Sequence, residues 1–142
     1  MMRDAYEVNC IAPYFFSKTL LPLVKAASAQ NSSLPMGVNR AAIIMMSTAV
    51  GSIAENSGGG IVAYRSSKSG LNQAMKCFSI DVKGDNIMVM SMHPGWVQTE
   101  MGGPNAQITT ETCCSTMLNT FEALTEKDHA SFLRYNNTPI AW

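Results

Sequence analysis

The chain has 142 residues and a mass of 15.4 kDa, enough for one ordinary domain and too little for two independent cores. Hydrophobic residues make up 46% and charged residues only 14%, which excludes disorder as the main state and is consistent with large buried surfaces, including burial against another chain. Ten Lys and Arg balance ten Asp and Glu without a basic cluster, an argument against nucleic acid or an anionic membrane as partner.

The longest apolar runs, Ile11 to Phe16 and Ala41 to Met46, are too short to cross a bilayer. The start at Met1-Met2-Arg3-Asp4 runs directly into an amphipathic pattern, without the tripartite plan of a secretory signal. Cys10, Cys77, Cys113 and Cys114 show neither CxxC spacing nor paired histidines, so no metal site is expected, and adjacent cysteines suit a disulfide poorly. These features place the chain in a reducing, cytoplasmic compartment.

Residues 5–29 read as a helix with Val8, Ile11, Ala12, Phe15, Thr19, Leu23 and Ala26 on one face, and with a kink or break at Pro22. A loop rich in Asn, Ser, Pro and Gly follows over 30–40. Residues 41–47 form a continuous apolar run that suits a strand covered on both faces, although pattern alone leaves a short helix open. A Gly/Ser/Asn loop leads to a second helix over 61–82, with Leu71, Met75, Phe78 and Val82 inward and Gly84 and Asn86 ending it. Residues 87–92 make a second apolar strand, stopped by Pro94-Gly95. After a loop over 95–108 come a third helix over 110–124 and a short strand over 131–135. Strands and helices alternating at this spacing predict an α/β fold with a mostly parallel sheet.

Tyr64 and Lys68 stand four residues apart and share one helix face. A phenol is a weak acid near neutrality, and a neighbouring ammonium favours its ionised form, so the pair suits proton transfer to a carbonyl oxygen or from an alcohol. The spacing alone is weak evidence, and Tyr14 with Lys18 repeats it. That copy has no strand or hydroxyl loop before it and is read as structural. Tyr64 follows a strand ending in the hydroxyls of Ser47 and Thr48, and precedes the Pro94-Gly95 corner where ligands of open α/β sheets bind. Gly58-x-Gly60-x-x-Ala63 has the letters of a phosphate loop but lies too far past its strand, and is read as a flexible lead-in to the helix. His93 and His129 lack ligand spacing and are expected in loops or at the surface. The eleven methionines are expected mostly as packing residues. Trp96 is equally suited to line a pocket or to cap the core.

Asn9, Ser47-Thr48, Tyr64-x-x-x-Lys68 and Pro94-Gly95-Trp96-Val97-x-Thr99 occur in the order and approximate spacing of the short-chain dehydrogenases/reductases. The segments AYRSSKSGLN, HPGWVQTEMGG and NNTPIAW most resemble the sniffer-type carbonyl reductases and C-factor-like proteins. The likeness runs from about Tyr6 to Trp142.

The resemblance implies a carbonyl reductase or alcohol dehydrogenase using NADP or NAD, with NADP favoured, and a small carbonyl or alcohol substrate. It implies Tyr64 as general acid/base and Lys68 as the residue that acidifies it and holds the nicotinamide ribose. Asn9 would support a water-linked relay to the lysine. Pro94, Gly95, Val97 and Thr99 would border the nicotinamide, and residues 101–106 would form part of a substrate lid. Counting back from Gly51 sets the family's catalytic serine at Thr48; Ser47 takes that place only if the strand end shifts by one residue. Met45 stands where the family usually has Asn.

The family's glycine-rich pyrophosphate loop has no counterpart here. The expectation is therefore one partial Rossmann-like domain over 1–142. It would be the C-terminal half of a doubly wound parallel sheet with about three strands, the first strands and the glycine loop being absent. Two functions follow from that expectation: a reductase represented by its catalytic half, or a non-catalytic form. The latter would pair with a full-length relative through the helices over 5–29 and 61–82, which in the family pack subunits together. A homo-oligomer is the further expectation, and an unstable product without function is the bland one.

Overall fold

Two apolar runs of alternating side chains divide this molecule. In the computed structural model, which describes residues 1–142, they form β1 (Ala42–Met46) and β2 (Met88–His93), paired in parallel from Ala42 opposite Met88 to Met46 opposite Met92. A short third strand, β3 (Phe132–Arg134), adds in parallel on the far side of β2, giving the order β1-β2-β3. The strand reading of residues 41–47 is correct and the helical option falls away.

Side chains alternate across the sheet, so each run feeds two cores. Ala41, Met45, Ile87 and Val89 pack with Leu71, Met75, Phe78 and Val82 of α3 (Val62–Val82). Met88, Met90 and Met92 pack on the opposite face with Met36, Leu124 and Leu133, backed by Met117 and Phe121 of α4 (Thr110–Ala123). The unbranched thioethers fill this second core as adaptable packing, and Met45 fills the first. The stripe predicted for α3 is the buried one. The helix yields to a 3₁₀ turn over Lys83–Asp85, and Asn86 closes it at φ 53°.

The first helix departs from expectation. It runs as α1 (Met2–Tyr6), a wide π turn over Glu7–Ile11, then α2 (Ala12–Gln30). Pro22 lies inside α2, and the irregularity falls on the π turn instead. The apolar stripe of the sequence faces outward: Val8, Ile11, Phe15 and Leu23 are exposed. The inward residues are Cys10, Tyr14, Leu21, Val24 and Ala27, with Ser17 and Ser28 buried beside them. Tyr14 meets Phe78 edge-on at 6.0 Å and carries the Lys18 ammonium 5.6 Å from its ring centre, so this Tyr/Lys pair is packing.

His129 is not a free surface residue. Its Nδ1 accepts from the Val89 amide at 3.2 Å and its Nε2 lies 3.1 Å from the Ser79 carbonyl, pinning β2 to α3. An accepting Nδ1 leaves Nε2 as the protonated donor, the neutral tautomer, and burial correspondingly lowers its pKa.

Candidate active site

At the carboxyl ends of β1 and β2 the backbone leaves the sheet in two tight corners. After Met46, the extended Thr48 caps a 3₁₀ turn over Ala49–Gly51, its Oγ1 accepting from the Val50 amide at 3.4 Å. This loop presses on α3 at Lys68. A Cβ on Gly51 would lie 2.9 Å from Lys68 Cβ, and the Ser69 hydroxyl donates to the Gly51 carbonyl at 2.7 Å. After His93, Gly95 turns the chain at φ +89°, where a side chain would be strained and would also strike Ile108 and Tyr135. The indole of Trp96 then donates to the Gly102 carbonyl at 2.8 Å, folding residues 96–102 over the corner.

Between the corners and α3 lies an open cavity of about 790 Å³. Ser47, Thr48 and Tyr64 line one side; Pro94, Gly95, Val97 and Thr99 line another. Trp96 is half-exposed and lines the cavity rather than capping a core. Met101 and Gly102, from the segment expected as a lid, also reach it, with Met101 almost fully exposed. Seven of the nine residues singled out in the sequence therefore share one space. Lys68 and Asn9 are not on its wall.

Tyr64 and Thr48 share this wall, and the Thr48 hydroxyl favours the phenol's ionised form. Burial is the larger influence, and the phenol's pKa rises above its ordinary 10. Burial and the Thr48 hydroxyl, rather than Lys68, set the direction of this shift. The ammonium donates instead to the Met46 carbonyl at 2.9 Å, and burial lowers its own pKa, opposed by Cys10. Asn9 sits on the π turn and donates through Nδ2 to Ser67 Oγ at 3.2 Å, while that hydroxyl donates to the Tyr64 carbonyl at 2.8 Å. Asn9 thus braces the helix turn between Tyr64 and Lys68.

Sequence reasoning missed three residues of the cavity. His93, expected in a loop or at the surface, ends β2 and lines the wall, and burial with the nearby Arg134 lowers its pKa to about 4. Its place directly before Pro94-Gly95 was the available signal. Cys113 is buried and donates its thiol to the Pro94 carbonyl at 3.1 Å, and Cys114 stands exposed beside it. All four cysteines are free and no cluster fit for a metal is present. The Gly58–Gly60 segment lies apart from any strand end, its Gly59 carbonyl accepting from Arg65 at 2.9 Å.

The family model described as short chain dehydrogenase matches residues 2–109. Among solved structures, the carbonyl reductase Sniffer of D. melanogaster superposes with a TM-score of 0.98 at 45% identity, covering 99% of this chain and 57% of that one. The NADPH-bound carbonyl reductase from chicken fatty liver gives 0.91 at 33% identity, with the same coverage. A curated relative, C-signal of Myxococcus xanthus, is 28% identical over 99% of this chain and 78% of its own length. The chain thus spans little more than half of these solved reductases. With a matching model over most of its length and the superposed parallel sheet, the chain belongs to the short chain dehydrogenase family.

Proposed function

We propose that residues 1–142 are one partial NAD(P)-binding Rossmann-like domain carrying the catalytic half of a carbonyl reductase. The carrying observation is that Tyr64 and Thr48 line one cavity bounded by the Pro94-Gly95 corner. The chicken and fly reductases support the activity, and the NADPH held by the former favours NADP over NAD.

The residues present fit the nicotinamide end of such a cofactor. Pro94, Gly95, Val97 and Thr99 offer it an uncharged wall, with the Thr99 hydroxyl among them. No glycine-rich turn joins a strand to a helix here, so the pyrophosphate end has no equivalent cradle. When bound, the cofactor supplies hydride.

The rest is done by side chains of this chain. A raised pKa keeps Tyr64 protonated at neutral pH, the state needed to give a proton to a carbonyl oxygen becoming an alkoxide. Thr48 donates to the same oxygen, stabilising the charge that develops there. Lys68, one turn along α3 from Tyr64, would hold the nicotinamide ribose, and its ammonium would favour release of the phenol's proton. Asn9 acts through Ser67, holding the turn that carries both.

Tyr64→Phe is expected to abolish NADPH oxidation with an aromatic ketone, while Tyr14→Phe retains it. Equal loss in both variants, or none in Tyr64→Phe, counts against the assignment. The absence of paired cysteines accords with the cytoplasm as its location.

A second reading has its own observation. Val8, Ile11, Phe15, Phe16 and Leu23, with Val62 and Ile80 of α3, form apolar surface with nothing over it. On this reading the chain docks through these helices, on a full-length relative or a second copy.

A further inference from the structure

Two buried polar atoms at the cavity wall have no partner anywhere in the chain: Ser47 Oγ and His93 Nδ1. Each leaves its strand at the same level. Met46 pairs with Met92, and the Ser47 amide donates to the Met92 carbonyl at 2.8 Å, so Ser47 and His93 are the next positions along neighbouring strands. Ser47 is only 4% exposed. Leaving such buried atoms unsatisfied is unfavourable. The other imidazole nitrogen, Nε2, hydrogen-bonds to nothing in the chain and is not enclosed.

No side chain on the cavity wall is Asp, Glu, Lys or Arg. His93 is neutral at physiological pH because burial and Arg134 disfavour its cation, against the weaker pull of Glu55, and Tyr64 keeps its proton. The space is therefore built for an uncharged group, and it has polar atoms beyond those that Thr48 and Tyr64 contribute.

We propose that Ser47 and His93 form a second polar anchor in the cavity. The Ser47 hydroxyl donates to His93 Nδ1 and fixes the ring, and Nε2–H donates to a second, uncharged oxygen of the substrate. Ser47 is the positioning residue and His93 makes the contact. The arrangement gives both unsatisfied atoms a partner at once. It selects carbonyl compounds carrying a second neutral oxygen next to the reacting carbonyl over monofunctional ketones. The proposal rests on the reductase reading for the word substrate; the pocket's preference itself is measurable without turnover.

The test uses the whole 142-residue chain labelled with ¹⁵N histidine. His93 and His129 are its two histidines, and His129, tied to Val89 and Ser79, reports that each variant is folded. The probes are 1-phenylpropane-1,2-dione and 1-phenylpropan-1-one, which differ in one carbonyl. The dione is expected to bind about tenfold more tightly, as one well-made hydrogen bond allows. His93 should show the Nε2-protonated tautomer and shift on dione binding, with His129 unmoved. Ser47→Ala should lose the tautomer bias, and both Ser47→Ala and His93→Phe should bring the two probes to parity. His93→Gln, which keeps a donor, should restore part of the preference. Parity in the unaltered chain, an Nδ1-protonated ring, no His93 response, or no binding of either probe overturns the anchor. Turnover separates the two ideas. A dione preference without Tyr64-dependent NADPH oxidation defeats the reductase reading and leaves the anchor standing, and the converse result defeats the anchor alone.

Discussion

His93 couples the site to pH through a sign that can be worked out. Its folded pKa, about 4, lies below the ordinary 6.5, so between these values the unfolded chain takes up a proton that the folded chain refuses. Its contribution to stability is complete above pH 6.5 and is lost as pH falls toward 4. After allowing for screening of a partly enclosed ring, the loss is on the order of 2 kcal/mol. Urea unfolding at pH 7 and pH 4.5 should show this slope in the unaltered chain and a shallower one in His93→Phe. An identical slope in both would remove His93 as the cause. Tyr64 moves the other way: burial raises it, so its acid form persists at neutrality and the base needed for alcohol oxidation appears only at alkaline pH. The sequence showed Tyr64, Thr48 and the Pro94-Gly95 corner because their chemistry is written in residue type and order. It hid His93, whose role depends on a neighbouring strand forty-six positions away, as the paired register of Met46 and Met92 makes plain.

At the scale of elements, strands and α3 were legible and α2 was misread. Runs such as Ile87–Met92 have no polar face to mistake, and the Leu71-Met75-Phe78-Val82 stripe has one apolar side. The first helix has two. Its inward face (Cys10, Tyr14, Ser17, Leu21, Val24, Ser28) is less apolar than its outward one, and the π turn shifts the register of whatever precedes it. Hydrophobic periodicity therefore selected the side left bare. A bare stripe holding Phe15, Phe16 and Leu23 predicts association through that face. Sedimentation should show the unaltered chain assembling, and Phe15→Glu with Leu23→Glu dissociating it without loss of helical signal. A monomer at high concentration in the unaltered chain would argue that the face is merely tolerated.

For the molecule as a whole, the sheet ends at β1, which pairs only with β2. An open apolar edge is a site of further pairing. The same geometry separates the chemistry of the site from most of the contacts that would retain a dinucleotide, since no strand-to-helix glycine turn is present. The chain alone is therefore expected to bind NADPH weakly. A dissociation constant of about 1 μM or tighter by fluorescence titration would contradict this. No helix is long and apolar enough to cross a membrane.

The wide turn at Glu7–Ile11 carries one residue more than regular α-helical winding would use. Excising a single residue there lets the helix close into uniform winding, while everything ahead of the cut keeps roughly the face it presents now. A deletion that would wreck an ordinary helix is thus absorbed locally. What disappears is the tether from Asn9 to Ser67, and with it the clamp on the turn that aims Tyr64.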